Sequence, residues 1–152
     1  QQTIGVKAAV VPQVMRADTI RSLQKLVREV HVSDDLLNWI NRIVRASRPQ
    51  ESGSKEIQSW VKWGAGPRAG QALVLASKAR ALIQGRFAAT RDDVKALAAP
   101  VLRHRLLLTF VAEAEQKSAD DVVAVLLNSV PFPALSVSAA AAPWTWPRPF
   151  HS

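Results

Sequence analysis

The sequence predicts an all-α fold, a small bundle of about five to seven helices with room for one short extended segment. Three observations lead there. Apolar residues recur at i, i+3 and i+4 through most of the chain, the spacing that lays one stripe along a helix. Polar start signals, Ser-Asp-Asp or Ser/Thr-x-x-Asp, precede several of these stripes. Strand-like alternation is weak and confined to the N-terminus, and no unit of about 20–50 residues recurs.

Residues 1–17 alternate weakly and contain Pro12, and periodicity does not decide between a strand, an extended connector and a flexible leader. From Asp18, the residues Ile20, Leu23, Leu26, Val27 and Val30 form a helical stripe that breaks at His31-Val32. Ser33-Asp34-Asp35 opens a second helix, because serine accepts from a free first-turn amide and carboxylates suit the positive end of the dipole. Its stripe is Leu36, Leu37, Ile40, Ile43 and Val44. Arg42, Arg45 and Arg48 favour its C-terminal end, and Pro49 stops it.

After the loop Q-E-S-G-S, Lys55 to Trp63 reads as a short helix with Ile57, Trp60 and Val61 on one side. Pro67 fits the first turn of the next helix, where its missing N–H costs nothing. That helix runs from about Arg68 to Gln84 and turns Ala69, Leu73, Ala76, Ala79, Leu82 and Ile83 inward. Gly85 then stands as its C-terminal glycine.

Thr90 with Asp93, and Ser118 with Asp121, have the spacing of capping boxes, with Asp in place of Glu. They read as helix punctuation rather than as metal-binding carboxylates. Pro100 leaves 91–105 as two short helices or one kinked helix. R-L-L-L-T-F (105–110) is compatible with a short extended segment, and Val122 to Val130 closes the last helix at Pro131. Residues 131–152 are rich in Pro, Ala and Ser and read as a flexible tail, in which Trp144, Trp146 and Phe150 are the candidate anchors. The expected organisation is thus a leader or connector (1–17), a helical domain (18–130) and a Pro/Ala/Trp tail (131–152).

With 152 residues, 48% hydrophobic and 21% charged, the chain has the composition and length of one globular domain. No apolar run approaches the ~20 residues that span a bilayer, and the N-terminus lacks the layout of a signal peptide. The absence of cysteine excludes disulfides and thiolate metal sites and agrees with a cytoplasmic location. A net charge of +8 invites a nucleic-acid reading. Lys and Arg are nonetheless spread from Lys7 to Arg148 with no run of three, so nucleic acid is the less favoured partner.

Catalytic signals are missing. His31, His104 and His151 are far apart, and His104 in L-R-H-R-L reads as a packed or capping histidine. The sequence has no H-E-x-x-H, no G-x-S-x-G and no metal-ligand spacing. One stretch stands out, W-G-A-G-P-R-A-G-Q (63–71). Its Gly64, Gly66 and Gly70 are one residue too widely spaced for a dinucleotide fingerprint, and no P-loop motif occurs in the chain. A tight turn that feeds a helix at Pro67 and Arg68 remains. A helix N-terminus favours an anion, and an arginine there adds a planar, bidentate phosphate donor.

Three segments, V-S-D-D-L-L-N-W-I-N-R-I-V-R-A-S-R-P (32–49), V-K-W-G-A-G-P-R-A-G-Q-A-L-V-L-A-S-K-A-R-A-L-I-Q-G-R (61–86) and T-R-D-D-V-K-A-L-A-A-P-V-L-R-H-R-L-L-L (90–108), resemble the C-terminal lid of MoxR-type AAA+ ATPases. The likeness covers about Ala17 to Val130. It implies that Arg68 is the sensor-2 arginine, which reaches the phosphates of ATP held on a neighbouring core domain. Gly64, Ala65, Gly66 and Pro67 would then form the turn that presents it, with Gly66 where the family usually has serine.

Further implications are chaperone-like remodelling, hexameric rings formed with the core domain and neighbouring subunits, and partners with von Willebrand factor A-type domains. ATP, with Mg on the core, would be the cofactor of the whole enzyme. The Walker motifs, sensor 1 and arginine finger of that family belong to an α/β core absent from this sequence. The chain is therefore expected to be a lid fragment, an excised domain or truncated product that does not hydrolyse ATP alone. The rival expectations are a basic helical module that binds protein or nucleic acid without catalysis, and an oligomerisation fragment.

Overall fold

Short polar side chains set the helix starts. In the computed structural model, which describes residues 12–133, α1 (Ala17–Glu29) and α2 (Asp34–Ala46) flank the expected break at His31-Val32. Ser33 caps α2, its Oγ accepting from the Leu36 N–H at 3.3 Å. A 3₁₀ turn at Pro49–Glu51 leads to α3 (Lys55–Trp60), which Ser54 caps, and to β1 (Val61–Trp63). Then follow α4 (Pro67–Ile83), α5 (Arg91–Leu102) and β2 (Leu107–Leu108), with a 3₁₀ turn at Arg103–Arg105 between the last two. The described residues end with α6 (Phe110–Ala114) and α7 (Ala119–Ser129). These seven helices and one small antiparallel sheet match the predicted all-α class.

Both capping boxes form. The Asp121 carboxylate accepts from the Ser118 N–H at 2.8 Å while Ser118 Oγ accepts from the Asp121 N–H at 3.2 Å. Asp93 accepts from both the N–H and the hydroxyl of Thr90, at 2.8 and 2.9 Å. Gly85 follows α4 with φ of +71°, the left-handed conformation that glycine adopts without penalty.

The core is built around α2. Trp39, Ile40, Ile43 and Val44 pack with Leu73 of α4, with Val94, Ala98 and Leu102 of α5, and with Val123 of α7. Trp39 is 1% exposed and donates its indole N–H to the Val130 carbonyl at 2.7 Å, which ties the end of α7 to α2. A smaller cluster of Ile57, Val61, Val122 and Leu126 fastens α3 and β1 to α7.

Two expectations need correction, and one open choice is decided. The helix expected over 55–63 ends at Trp60, because Val61–Trp63 pairs with Leu107–Leu108 and the Thr109 N–H donates to the Trp60 carbonyl at 2.8 Å. The β-branched Val61 suits a strand, and the partner lies too far along the chain for local periodicity to reveal it. Of the two readings left open for 91–105, the structure shows one helix, which runs to Leu102 with Pro100 inside it and is followed by the 3₁₀ turn.

The apolar stripe of α1 is present, but it lies largely outside the core. Ile20, Leu23 and Leu26 are 45%, 41% and 42% exposed, because α1 lies over α4 outside the α2–α5 core and only Val30 beyond its end is buried. In α4, Ala69 and Leu73 point inward as expected, but Ile83 is 85% exposed. The ridge that packs is Ala69, Leu73, Ser77 and Ala81, a four-residue repeat in which every member but Leu73 is small, and it lies against α5. Residues 1–11 and the candidate anchors Trp144, Trp146 and Phe150 lie outside the described residues.

Candidate functional site

The turn from β1 into α4 is clamped onto the C-terminal end of α2. A Cβ on Gly64 would stand 2.4 Å from the Ser47 carbonyl oxygen and 2.7 Å from the Arg48 Cα, so only a hydrogen fits there. Ala65 is fully buried. Its N–H donates to Ser47 Oγ at 2.8 Å, and the Ser47 hydroxyl donates in turn to the Val44 carbonyl at 2.6 Å. The Ala65 carbonyl accepts from Arg48 Nε at 3.3 Å. Glu51 steadies that arginine at 2.8 Å and also takes Arg45 at 2.6 Å. These two bonds, that of Arg45 foremost, hold the Glu51 carboxyl below its ordinary value.

Gly66 differs from Gly64. It caps α4 with an ordinary φ of −84°, nothing lies within 4 Å of where its Cβ would be, and it offers no side chain to the first-turn amides. Pro67 is the first helical residue and Arg68 the second, exposed to solvent. Arg68 takes part in none of the ion pairs among the described residues. The first turn of α4 also carries no acidic residue, whereas each of the other six α-helices carries at least one. The positive end of the longest helix is thus left without an internal anion, next to an uncommitted guanidinium.

The far end of α4 is fastened as firmly. The Asp93 side chain is 0% exposed and accepts from Arg80 at 2.9 Å and from Arg86 at 2.7 and 2.9 Å. The bonds from Arg86, then Thr90 and Arg80, outweigh burial and hold its carboxyl well below the usual carboxylate range. Asp93 therefore caps α5 and also locks α4 and the Gly85 turn to it.

Beside the Pro67 end, a groove of about 1030 Å³ runs between α1, α2 and α4. Arg28, Arg42, Arg45, Arg48 and Lys78 line it, with no carboxylate among the lining residues. The even spread of Lys and Arg along the chain thus conceals a local concentration that the helix packing creates.

Comparison with known families matches residues 42–125 to the AAA lid domain. The chain belongs to this family. Relatives place it among the lids of MoxR-type AAA+ ATPases. It is 33% identical over 131 residues to the chaperone MoxR1 of Mycobacterium tuberculosis, covering 86% of this chain and 35% of that protein. It is 29% identical over 113 residues to the MoxR protein of Paracoccus denitrificans, covering 68% of this chain and 32% of the relative. A solved structure from Cytophaga hutchinsonii superposes with a TM-score of 0.68 at 31% identity, over 72% of this chain and 34% of that one. The lid spans about a third of the length of the curated relatives it matches. No helix among the described residues is long and apolar enough to cross a membrane.

The five residues singled out from the lid sequence, Gly64, Ala65, Gly66, Pro67 and Arg68, lie together at the start of α4. His31 and His104 are not among them: His31 bridges to Ala88, and His104 sits in the 3₁₀ turn after α5. The sequence reading missed Ser47 and Arg48 as anchors of the turn. Their only signal was the run A-S-R-P (46–49), which reads as an ordinary helix end. It also missed the burial of Asp93, because the capping pattern alone accounted for that residue.

Proposed function

We propose that Arg68 is a nucleotide-sensing residue: the lid presents it to the phosphates of ATP held on an AAA+ core domain. The observation that carries this reading is the uncommitted guanidinium of Arg68 at the acid-free N-terminus of a helix fastened at both ends. An arginine so placed distinguishes ATP from ADP only by differential contact, and a terminal phosphate supplies one. α4 then transmits the difference, because its turn is bound to α2 and its other end to α5. ATP with Mg is the cofactor of the complete enzyme, in which core and neighbouring subunits surround the lid. Remodelling of protein partners, including those with von Willebrand factor A-type domains, and a cytoplasmic location rest on the family likeness.

The test uses a complete ATPase that carries this lid beside its core. Arg68→Ala should lower ATP turnover about 10²–10³-fold, the scale seen when one preorganised charge-stabilising donor is removed. Arg68→Lys should recover only part, since lysine has no bidentate fork. Turnover and ATP-over-ADP preference unchanged in Arg68→Ala would refute the assignment. The lid alone should show no hydrolysis.

A further inference from the structure

The groove between α1, α2 and α4 has a chemistry that nucleotide sensing does not use. Four of its five cations come from α1, α2 and α4, Arg48 follows the end of α2, and none meets a carboxylate within the groove walls. Arg45 and Arg48 already share Glu51, and Lys78 donates to the Arg28 carbonyl at 2.8 Å. Arg28 and Arg42 belong to none of the ion pairs among the described residues.

Between the charges the walls are apolar, through Leu37, Val74 and Leu75, the last 50% exposed. Asn38 and Asn41 on α2 face the same groove as Gln71 on α4. Carboxamides both donate and accept, which is what a peptide backbone requires of its neighbours.

We propose that this groove is a docking site for an acidic polypeptide segment of a partner protein, one whose carboxylates alternate with aliphatic side chains. Charge complementarity selects the sign of the partner, and the aliphatic walls select its side chains. A second copy of the chain fits poorly, since each copy carries a net charge of +8. Nucleic acid fits less well than a peptide, because no aromatic side chain lines the groove for bases to stack on. Pro67 forms one end of the groove, so an occupant would lie beside the turn that carries Arg68. The proposal does not depend on what Arg68 binds.

The experiment is fluorescence anisotropy of the whole chain with a labelled peptide of alternating Glu and Leu. A Lys and Leu peptide, a single-stranded oligonucleotide and ATP serve as competitors. The acidic peptide should bind, and binding should weaken as salt rises. The double variant Arg28→Glu/Arg42→Glu should weaken it roughly tenfold or more, and the neutral pair Arg28→Gln/Arg42→Gln by less. A control that reverses the same number of exposed charges elsewhere, Lys62→Glu/Lys95→Glu, should leave it within about twofold. All four side chains are exposed, and unchanged melting curves establish that each variant folds. Equal losses in groove and control variants would overturn the proposal by showing attraction to net charge alone. Displacement by the oligonucleotide or by ATP, or no binding of the acidic peptide, would overturn it as well.

Discussion

Replacing Gly64 by alanine should unfold the lid at markedly lower temperature, whereas the same change at Gly66 should not. The distances around each glycine give the size of the effect. A Cβ at Gly64 stands 2.4 Å from the Ser47 oxygen, about 1 Å inside the 3.4 Å at which ordinary contact begins, and the opposing atoms are backbone rather than a pliable side-chain tip. Relief requires the turn to move off α2. That movement stretches the 2.8 Å bond from the Ala65 N–H to Ser47 Oγ and the already long 3.3 Å bond from Arg48 to the Ala65 carbonyl. Overpacking of this kind costs about 1–3 kcal/mol, and a weakened hydrogen bond adds about 1 kcal/mol. A loss of about 2–4 kcal/mol corresponds to a Tm lower by roughly 4–16 °C for a chain of this size. At Gly66 nothing lies within 4 Å, so alanine should shift Tm little, and Gly66→Ser should raise it slightly by supplying the missing cap. Thermal unfolding followed by far-UV circular dichroism reads all three variants. Gly64→Ala melting within a degree of the parent, or Gly66→Ala falling as far as Gly64→Ala, would refute the close-approach argument.

Asp93→Asn should destabilise the lid by about 2–3 kcal/mol in urea unfolding, below the usual cost of breaking a buried pair because Arg80 and Arg86 are each a third exposed and water replaces part of the contact. The same residue fixes the acid response. Its folded carboxyl sits below the ordinary value, so its stabilisation is complete above the unfolded pKa of about 3.9 and fades as the pH falls through and below it. Parent and Asp93→Asn should therefore converge in stability as pH drops from neutral towards 3, and a constant gap over that range would contradict this account. Ser77→Ala should be neutral or stabilise by up to about 1 kcal/mol, since the buried Ser77 hydroxyl has no partner among the described residues. A clear loss of Tm in that variant would reveal a hydrogen bond at Ser77.

Helix starts were legible because their cause is local. Ser33, Thr90 and Ser118 act within three residues of themselves, and Pro67 and Gly85 work through their own backbone angles. The strand at Val61–Trp63 was not, because its partner is more than forty residues away, at Leu107–Leu108. Burial was misread for a related reason. Periodicity identifies an apolar stripe but not what covers it: Ile20, Leu23 and Leu26 of α1 remain over 40% exposed, and Ile83, expected to point inward, is 85% exposed. In α4 the packed ridge is made of Ala, Leu and Ser, and small residues carry too little hydropathy to advertise the face that α5 approaches.

The candidate site shows the same division. W-G-A-G-P-R displays its turn and its arginine in six consecutive residues, but what holds them still comes from A-S-R-P, some eighteen residues earlier, and from Asp93 at the opposite end of α4. This remote support bears on mechanism. Were α4 fixed only at its start, losing a phosphate contact at Arg68 would be absorbed by fraying of the first turn. With Ala65 bound to Ser47 and Arg80 bound to Asp93, the first turn, α2 and α5 are tied to one rigid element. Under the role proposed for Arg68, a force on it would rotate the helices together, and weakening either clamp should uncouple nucleotide state from lid movement while leaving Arg68 itself intact. In a complete ATPase, Ser47→Ala should therefore impair the conformational response to ATP more than the affinity for it.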